Sequence, residues 1–185
     1  MLRKIFLIAF AVTILNFYST SAFAIISFSV GAPISHNFTS EWSDGEEIKS
    51  DAVSGTFIQI GVPIFPGIGM DNYKTKIKDP DFVLDLETKI YNLYYLLPIS
   101  TINLTLGAGI GTTELKCSTC SDFFDKGKAS QWYASLGMPI IPLFDFHLSY
   151  RSVSSKITYK SGTNYEGNEN DFGGNVIGLG IMFNF

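Results

Sequence analysis

The stretch Val176-Ile177-Gly178-Leu179-Gly180-Ile181-Met182-Phe183-Asn184-Phe185 alternates large apolar residues with small or polar ones. Successive side chains of a β-strand point to opposite faces, so the odd-numbered residues share one face and the even-numbered residues share the other. An apolar face opposite a face of small and polar residues is typical of a strand in the wall of a lipid-embedded barrel. This stretch therefore predicts an outer-membrane strand whose odd-numbered residues face lipid.

Eight segments of the chain alternate in this way. They cover residues 25–38, 51–62, 67–78, 82–97, 101–116, 128–138, 143–160 and 171–185. An even number of strands fits a closed antiparallel barrel. We therefore predict an all-β fold, an eight-stranded antiparallel up-and-down transmembrane β-barrel.

The connections between these segments alternate between two kinds. Prolines follow the second, fourth and sixth segments, at Pro63 and Pro66, at Pro98, and at Pro139 and Pro142. Proline cannot donate to a β-ladder, so it marks strand ends and tight turns. The other connections, residues 40–47, 79–81, 117–127 and 161–170, are polar, charged or glycine-bearing. The pattern predicts short periplasmic turns at one end and outward loops at the other.

The amino terminus has the composition of a secretory signal. Arg3 and Lys4 precede an apolar run from Ile5 to Leu15, and Ser21-Ala22-Phe23-Ala24 offers small residues where a signal peptidase cleaves. A retained transmembrane helix is the alternative, but it needs about 20 apolar residues. We predict a signal peptide over residues 1–24 and a barrel domain over residues 25–185.

Charge and composition exclude some function classes. Removing Arg3 and Lys4 from the 13 basic residues leaves 11 basic against 17 acidic residues. Nucleic-acid binding needs clustered basic side chains, so we predict no nucleic-acid partner. Aromatic residues make up 15% of the chain, and no apolar run of helical membrane length follows Leu15. Since only helices and closed β-barrels span membranes, β-strands remain as the elements that could carry these apolar residues across one.

Assigning each apolar face to lipid places several ionisable residues inside the barrel. The predicted polar network of the lumen consists of Asp85, Glu87, Lys89, Asp145, His147 and Arg151. Eight strands leave an interior of side-chain size, which favours a salt-bridged plug. A selective pore is the alternative. The third segment, with Asp71, Lys74 and Lys76, has no clear assignment of faces.

Aromatic residues gather near the proline turns. Phe65, Tyr94, Tyr95, Phe144 and Phe185 lie close to them in sequence. Aromatic girdles mark the membrane interfaces of such barrels. The sequence therefore predicts one girdle at the periplasmic end.

The two cysteines, Cys117 and Cys120, lie in the third outward loop. A disulfide is favoured in an oxidising compartment, and a redox or metal site is the alternative. Zinc would need two more ligands, and the chain has only His36 and His147 in distant segments. We predict the disulfide, no metal site and no cofactor.

The sequence His147-Leu148-Ser149 resembles a motif of the lipid A 3-O-deacylases, which are small outer-membrane barrels with a catalytic serine. The resemblance stops there, since Tyr150 and Ser161 stand where that family has its asparagine and its acidic partner. His147 and Ser149 also share the predicted inner face with Asp145, whereas a lipid-hydrolysing site must face the bilayer. A triad requires mutual geometry. We predict no catalytic residue and keep a lipid A-modifying enzyme as the third hypothesis.

Four stretches share features with known proteins: Ala22-Phe23-Ala24 at the predicted cleavage point, Tyr94-Tyr95-Leu96-Leu97-Pro98, Leu104-Thr105-Leu106-Gly107-Ala108-Gly109, and the stretch from Gly178 to Phe185. With them, the chain that follows the predicted signal resembles the small outer-membrane barrels of the OmpA, OmpX and OmpW type, and a set of little-characterised proteobacterial outer-membrane proteins. The resemblance implies insertion by the barrel-assembly machinery, which recognises a terminal aromatic, so Phe183 and Phe185 become the predicted assembly signal.

The same resemblance implies a place in the outer membrane of a Gram-negative cell but no single activity. The expected partners are outer-membrane lipids, lipopolysaccharide and, during insertion, the assembly machinery. Loops vary and carry contacts, so the leading hypothesis is a non-enzymatic barrel with a structural, adhesive or stress-related role. A narrow channel for small hydrophobic or ionic solutes is the alternative.

Overall fold

The structure, a computed structural model, describes residues 26–41, 46–62, 65–78, 84–99, 102–141, 143–162 and 166–185. The predicted signal peptide lies outside these residues. The strands are β1 Ser27–Phe38, β2 Ser50–Gly61, β3 Gly67–Ile77, β4 Leu84–Ile99, β5 Ile102–Lys116, β6 Gly127–Ile141, β7 Phe144–Thr158, β8 Glu169–Asp171 and β9 Gly174–Asn184, and a single-turn helix α1 covers Cys120–Phe123. Among the described residues, no helix is long and apolar enough to cross a membrane.

The sheet closes into an antiparallel up-and-down barrel. From β1 to β7, each strand pairs with the next in sequence, and β9 pairs with both β7 and β1. The short β8 pairs with the end of β7, from Lys156 to Thr158, so β8 and β9 together form the eighth wall strand. Phe172 and Gly173 separate them. The predicted fold class and strand number are confirmed.

The observed strand bounds differ from the predicted ones mainly at the prolines. The fourth strand continues through Pro98 to Ile99, and the sixth continues through Pro139 to Ile141. These prolines therefore lie within strand ends rather than in the turns. Proline is tolerated there because the ladder is about to stop.

The wall has an apolar outer face from the short-turn end up to the level of Tyr91, Ile110, Trp132 and Tyr150, which we call the apolar belt. Outward side chains within the belt are large and exposed, as in Leu93 at 59% and Ile110 at 75% exposure. The inward side chains at the same height are mostly polar or small, among them Ser135, His147, Ser149 and Arg151, and a buried cluster of Tyr94, Leu96, Tyr133 and Met182 packs among them. The face prediction for the eighth strand and the predicted inner position of Asp145, His147 and Arg151 on the seventh hold within the belt.

Above the belt, toward the loops, the polarity of the wall is reversed. The interior is closed by an apolar cap of Ile48, Ile77, Leu86, Leu115, Cys120, Ile157 and Phe172. The outer face at this height carries charged side chains. Water surrounds this part of the wall, so the inside takes the apolar residues as in a soluble protein.

This reversal corrects the prediction for the fourth strand. Leu86 and Ile90 are fully buried inside, whereas Glu87 and Lys89 are exposed on the outer face and Asp85 is half-buried there. The prediction that Asp85, Glu87 and Lys89 lie in the lumen was wrong, because it assumed that the apolar face meets lipid along the whole strand.

Two further positions differ from the sequence prediction. Tyr94 lies inside the barrel at 3% exposure and is not part of an outer girdle. The third strand, which had no assigned faces, turns Asp71 inward at 0% exposure, and it turns Lys74 and Lys76 outward. An acidic side chain in the centre of the barrel is therefore supplied by β3.

The ladder between β1 and β2 is incomplete. It pairs Ser27–Gly31 with Phe57–Gly61 and stops at Gly31 opposite Phe57. On its other edge β1 stays paired with β9 up to Phe38 opposite Gly174. The two strands meet again higher up, where Ser50 Oγ donates to the carbonyl of His36 at 2.5 Å. We call the interval between these levels the side window.

Local sequence explains where the side window begins. Pro33 and a bulge between Pro33 and Ser35 lie in β1 directly past its last pair with β2. Gly55 faces them from β2 with φ 150°, and a Cβ there would come within 2.4 Å of Tyr73 Cα. Proline and bulges end regular pairing, and such a backbone with so close a neighbour requires glycine.

Candidate functional site

An ion pair occupies the centre of the barrel. Arg151 Nε donates to Asp71 Oδ2 at 3.0 Å, and the two side chains are 1% and 0% exposed. The guanidinium carbon lies 3.6 Å from the ring centroid of Phe57 and 4.9 Å from that of Tyr133. The cation is therefore held by a carboxylate at its edge and by aromatic rings on its faces.

Amide side chains extend this centre across the lumen. Gln131 Nε2 contacts Asp71 Oδ2 at 2.5 Å and Asn92 Oδ1 at 2.7 Å. Gln59 Nε2 donates to the hydroxyl of Tyr133 at 2.8 Å. Residues of β2, β3, β4, β6 and β7 thus meet at one level. Such a crossing network fills the side-chain-sized interior of an eight-stranded barrel.

Below this level His147 bridges two strands. Its Nε2 lies 2.7 Å from Ser29 Oγ, and its Nδ1 lies 3.2 Å from Ser135 Oγ. Ser149 Oγ instead donates to the carbonyl of Gly178 at 3.2 Å and accepts a bond from Arg151. Both nitrogens of His147 are engaged with other serines, and Ser149 is 1% exposed. This geometry differs from the nucleophile–base pair that the deacylase motif requires.

The lowest inward carboxylate, Asp145, is held by amides. Asn184 Nδ2 donates to Asp145 Oδ2 at 2.9 Å, and Asn103 Nδ2 donates to the same oxygen. Of the six predicted lumen residues, the structure brings Asp145, His147 and Arg151 into the interior on alternate positions of β7. The partner of Arg151 is Asp71, which the sequence pattern did not identify.

Above the central pair the interior becomes progressively apolar. Phe57, Tyr73, Ile90, Val153 and Val176 pack around it. His36 Nδ1 lies 2.8 Å from Thr75 Oγ1, and Thr88 and Thr113 form a hydroxyl pair at 3.3 Å. The apolar cap follows. The lumen therefore has two successive barriers, the ion-pair layer and the cap.

The disulfide joins Cys117 and Cys120, with a Cα–Cα distance of 5.0 Å. Cys120 begins α1 and is 2% exposed within the apolar cap. The bond thus fixes the third loop to the top of the lumen. Within the described residues, no group of three or more His, Cys, Asp or Glu side chains is placed to hold a metal ion.

The outward charges above the belt form a mixed surface. Lys74 Nζ lies 3.2 Å from Asp85 Oδ2. Lys89 Nζ lies 5.4 Å from the ring centroid of Tyr91, which is the topmost aromatic of β4 in the belt. These residues therefore face the surroundings of the barrel at the height where lipid headgroups meet water.

The predicted assembly signal lies on the outer face at the short-turn end. Phe183 contacts Phe144 and Phe28 with centroid distances of 4.8 and 6.4 Å, and Phe185 is 66% exposed. The backbone of Phe185 exchanges hydrogen bonds with that of Ile26 at 2.9 and 3.2 Å. The last strand is thus tied to the first, while the ring of Phe185 remains accessible.

Comparison with known proteins gives likeness of fold without likeness of sequence. No protein-family model matches the sequence, and no curated protein matches it significantly. Neisserial surface protein A is similar at 14% identity and TM-score 0.60 over 86% of this chain and 96% of its own. Outer membrane protein W of E. coli is similar at 11% identity and TM-score 0.58, over 88% and 98%. OprG of Pseudomonas aeruginosa matches at 12% identity and TM-score 0.50, over 88% and 96%.

By its fold, this closed barrel with an apolar belt falls in one class, the small eight-stranded outer-membrane β-barrels. In that class the short turns face the periplasm and the longer loops face outward. At these identities the likeness concerns the fold alone.

Proposed function

We propose that the protein is a non-enzymatic outer-membrane barrel with a filled interior, which acts through its outward loops and outer surface in a structural, adhesive or stress-related role. The observation that carries this proposal is the buried pair of Arg151 and Asp71, with the apolar cap above it. A polar network that crosses the lumen leaves ions no hydrated path. Contacts must then be made from outside the wall.

Recording from single barrels in a planar bilayer tests the proposal. We expect no discrete conductance steps from the wild-type protein. Stable conductance steps with an ion preference would overturn the proposal in favour of a selective pore, if that preference disappears when Arg151 or Asp71 is replaced by a neutral residue.

We propose lipopolysaccharide and outer-membrane lipids as partners of the outer surface. The apolar belt with lysines directly above it supports this, since acyl chains and anionic headgroups meet at that height.

Residues 1–24 are proposed as the signal peptide. Amino-terminal sequencing of the mature protein should begin at Ile25, and a start within residues 1–24 would contradict this.

We propose Phe183 and Phe185 as the signal read by the assembly machinery. The accessible ring of Phe185 at the closing strand supports this role. Deleting Phe185 should lower the amount of heat-modifiable, folded barrel in the outer membrane several-fold. The control Ile181→Ala changes an outward side chain of the same strand and should leave the amount of folded barrel unchanged. Equal amounts of folded barrel for the two variants would contradict the proposal.

A second candidate function is favoured by the side window. The window begins within the height of the belt, and Ile34 at its edge is 55% exposed. Ser54, Gly55 and Thr56 are exposed on the facing strand. Open strand edges are costly in lipid, so polar outward residues here favour a hydrated notch in the wall. Small hydrophobic solutes would use it as a lateral route.

Closing the window tests this candidate. Continuing the β1–β2 register past Gly31 and Phe57 brings Ala32 opposite Thr56. The variant Ala32→Cys/Thr56→Cys should form a cross-link that slows the entry of an apolar fluorophore into intact cells, with recovery on reduction. Entry that is equal in the oxidised and reduced states would remove the candidate.

A further inference from the structure

Among the described residues, the wall strands that carry outward lysines above the belt are β3 to β7, which lie on one side of the barrel. Successive cross-strand partners on β4, β5, β6 and β7 are Lys89, Thr112, Lys128 and Lys156. All four are exposed. We call them the lysine row. The outward positions of β9, β1 and β2 include no lysine or arginine among the described residues.

Two members of the row have no carboxylate partner in the described part of the chain. Lys156 Nζ contacts Glu169 Oε2 at 3.3 Å. Lys89 and Lys128 have no carboxylate oxygen of the described residues within 4.0 Å. Lys128 also lies directly opposite Lys156 on the same face. Like charges in that position repel each other. Glu169 and Asp171 lie beside Lys156, so Lys128 is the member of this pair that lacks a carboxylate partner among the described residues.

The surface directly below the row is apolar and aromatic. Tyr91 and Ile110 lie two positions below Lys89 and Thr112 on their strands, at 57% and 75% exposure. On β6, Trp132 lies four positions below Lys128, is 57% exposed and contacts Tyr150 with a centroid distance of 6.0 Å. An occupant of this face therefore has an anionic head and an apolar tail.

We propose that Lys89 and Lys128 bind a phosphate group of an outer-leaflet glycolipid, with the Thr112 hydroxyl between them and the acyl chains on Ile110 and Trp132. Lys89 and Lys128 are two strand spacings apart, about 10 Å, so their flexible stems reach one phosphate. Lysine binds phosphate as a point charge. The proposal rests on the proposed lipopolysaccharide contact and assigns it to residues.

Intrinsic fluorescence provides the assay. Trp42→Phe leaves Trp132 as the single tryptophan, next to the site. The folded protein in detergent is titrated with bisphosphorylated lipid A and, separately, with the same lipid A after dephosphorylation. We expect saturable binding of the first and at least tenfold weaker binding of the second. Equal affinity for both would overturn the proposal.

Matched variants locate the site. In the same background, Lys89→Gln/Lys128→Gln should bind bisphosphorylated lipid A roughly 30-fold more weakly, as expected for two lysines at an anionic surface. Lys49→Gln/Lys78→Gln removes the same charge from residues near the first loop, where the Lys78 N–H bonds the Lys49 carbonyl at 2.7 Å. This control should bind within about twofold of the parent. Equal losses in the two variants would overturn the proposal.

Heat-modifiable migration of each variant shows that it is folded, so weak binding is not confused with failed assembly. The test is independent of the filled interior, because the row lies outside the wall. Ion conductance would overturn the closed-barrel proposal and leave lipid binding intact. Unchanged binding by Lys89→Gln/Lys128→Gln would overturn the lipid site and leave the closed barrel intact.

Discussion

The half of the barrel at the height of the apolar belt and the half above it have opposite polarity. In the belt half, the ion pair of Arg151 and Asp71 lies inside and Leu93 and Ile110 lie outside. In the upper half, Leu86 lies inside and Glu87 lies outside, on neighbouring positions of one strand. The same closed ladder thus has two kinds of core.

The difference follows from the solvent outside the wall. Lipid requires an apolar outer face, so polar groups in the belt half must find partners with one another inside. Water at the upper half permits an outer charged face, so burial of apolar side chains stabilises the interior. The inner and outer faces of a barrel strand therefore cannot be assigned by one polarity rule along the whole height of the wall.

The largest effect is expected from separating the central ion pair. Arg151→Met leaves the carboxylate of Asp71 buried without its cation, which should lower the free energy of unfolding by about 3–5 kcal/mol. Urea unfolding in detergent, followed by tryptophan fluorescence, measures it. Asp71→Asn/Arg151→Met removes both charges and should recover part of this loss. A single variant no less stable than the double variant would contradict a pairing role.

The next effect compares the two faces of the upper half. Leu86→Ala opens space in the apolar cap and should cost about 2–5 kcal/mol. Glu87→Ala, one residue further along β4, changes only the wet outer face and should stay within about 0.5 kcal/mol of the parent. The same urea assay measures both variants. Equal costs would show that the cap is not a packed core.

The strand number and closure could be predicted because an alternation with a period of two persists through eight segments. Lipid on one side of the wall requires apolar residues there, so the alternation appears as apolar residues interleaved with small or polar ones. The inner position of Arg151 was predictable for the same reason. Its partner Asp71 was not, because β3 has charges on both faces and the pairing of β3 with β7 across the lumen depends on the shear of the closed barrel. Cross-barrel contacts of this kind have no local signal.

The faces of β4 were misassigned for a different reason. Alternation groups Leu84, Leu86 and Ile90 on one face, but it does not say whether that face is inside. Assigning it to lipid fails above the belt. The side window had a local signal that the prediction did not use, since Pro33 lies within the first predicted strand and proline marks a strand edge or a bulge.

A smaller effect is expected from the disulfide that fixes the third loop to the cap. The loop closed by Cys117 and Cys120, at a separation of three residues, is short. The chain-entropy model then gives a stabilisation of about 2 kcal/mol. Cys117→Ser/Cys120→Ser should lower the urea midpoint by a corresponding amount, and reductant should do the same to the parent. A parent unaffected by reductant would mean that the cap does not depend on this loop.

The smallest effect is expected from an ion pair of the same chemistry on the outer face. Lys74 and Asp85 lie 3.2 Å apart, with side chains 43% and 19% exposed. Water and salt screen such a pair, so a double-mutant cycle with Lys74→Gln and Asp85→Asn should give a coupling below about 1 kcal/mol that falls further in 1 M salt. The matching cycle of Arg151→Met and Asp71→Asn should give a larger coupling that salt hardly changes, because no solvent reaches that pair. If the two cycles agreed in size and salt dependence, the interior would be hydrated, and the contrast between the two halves of the wall would not hold.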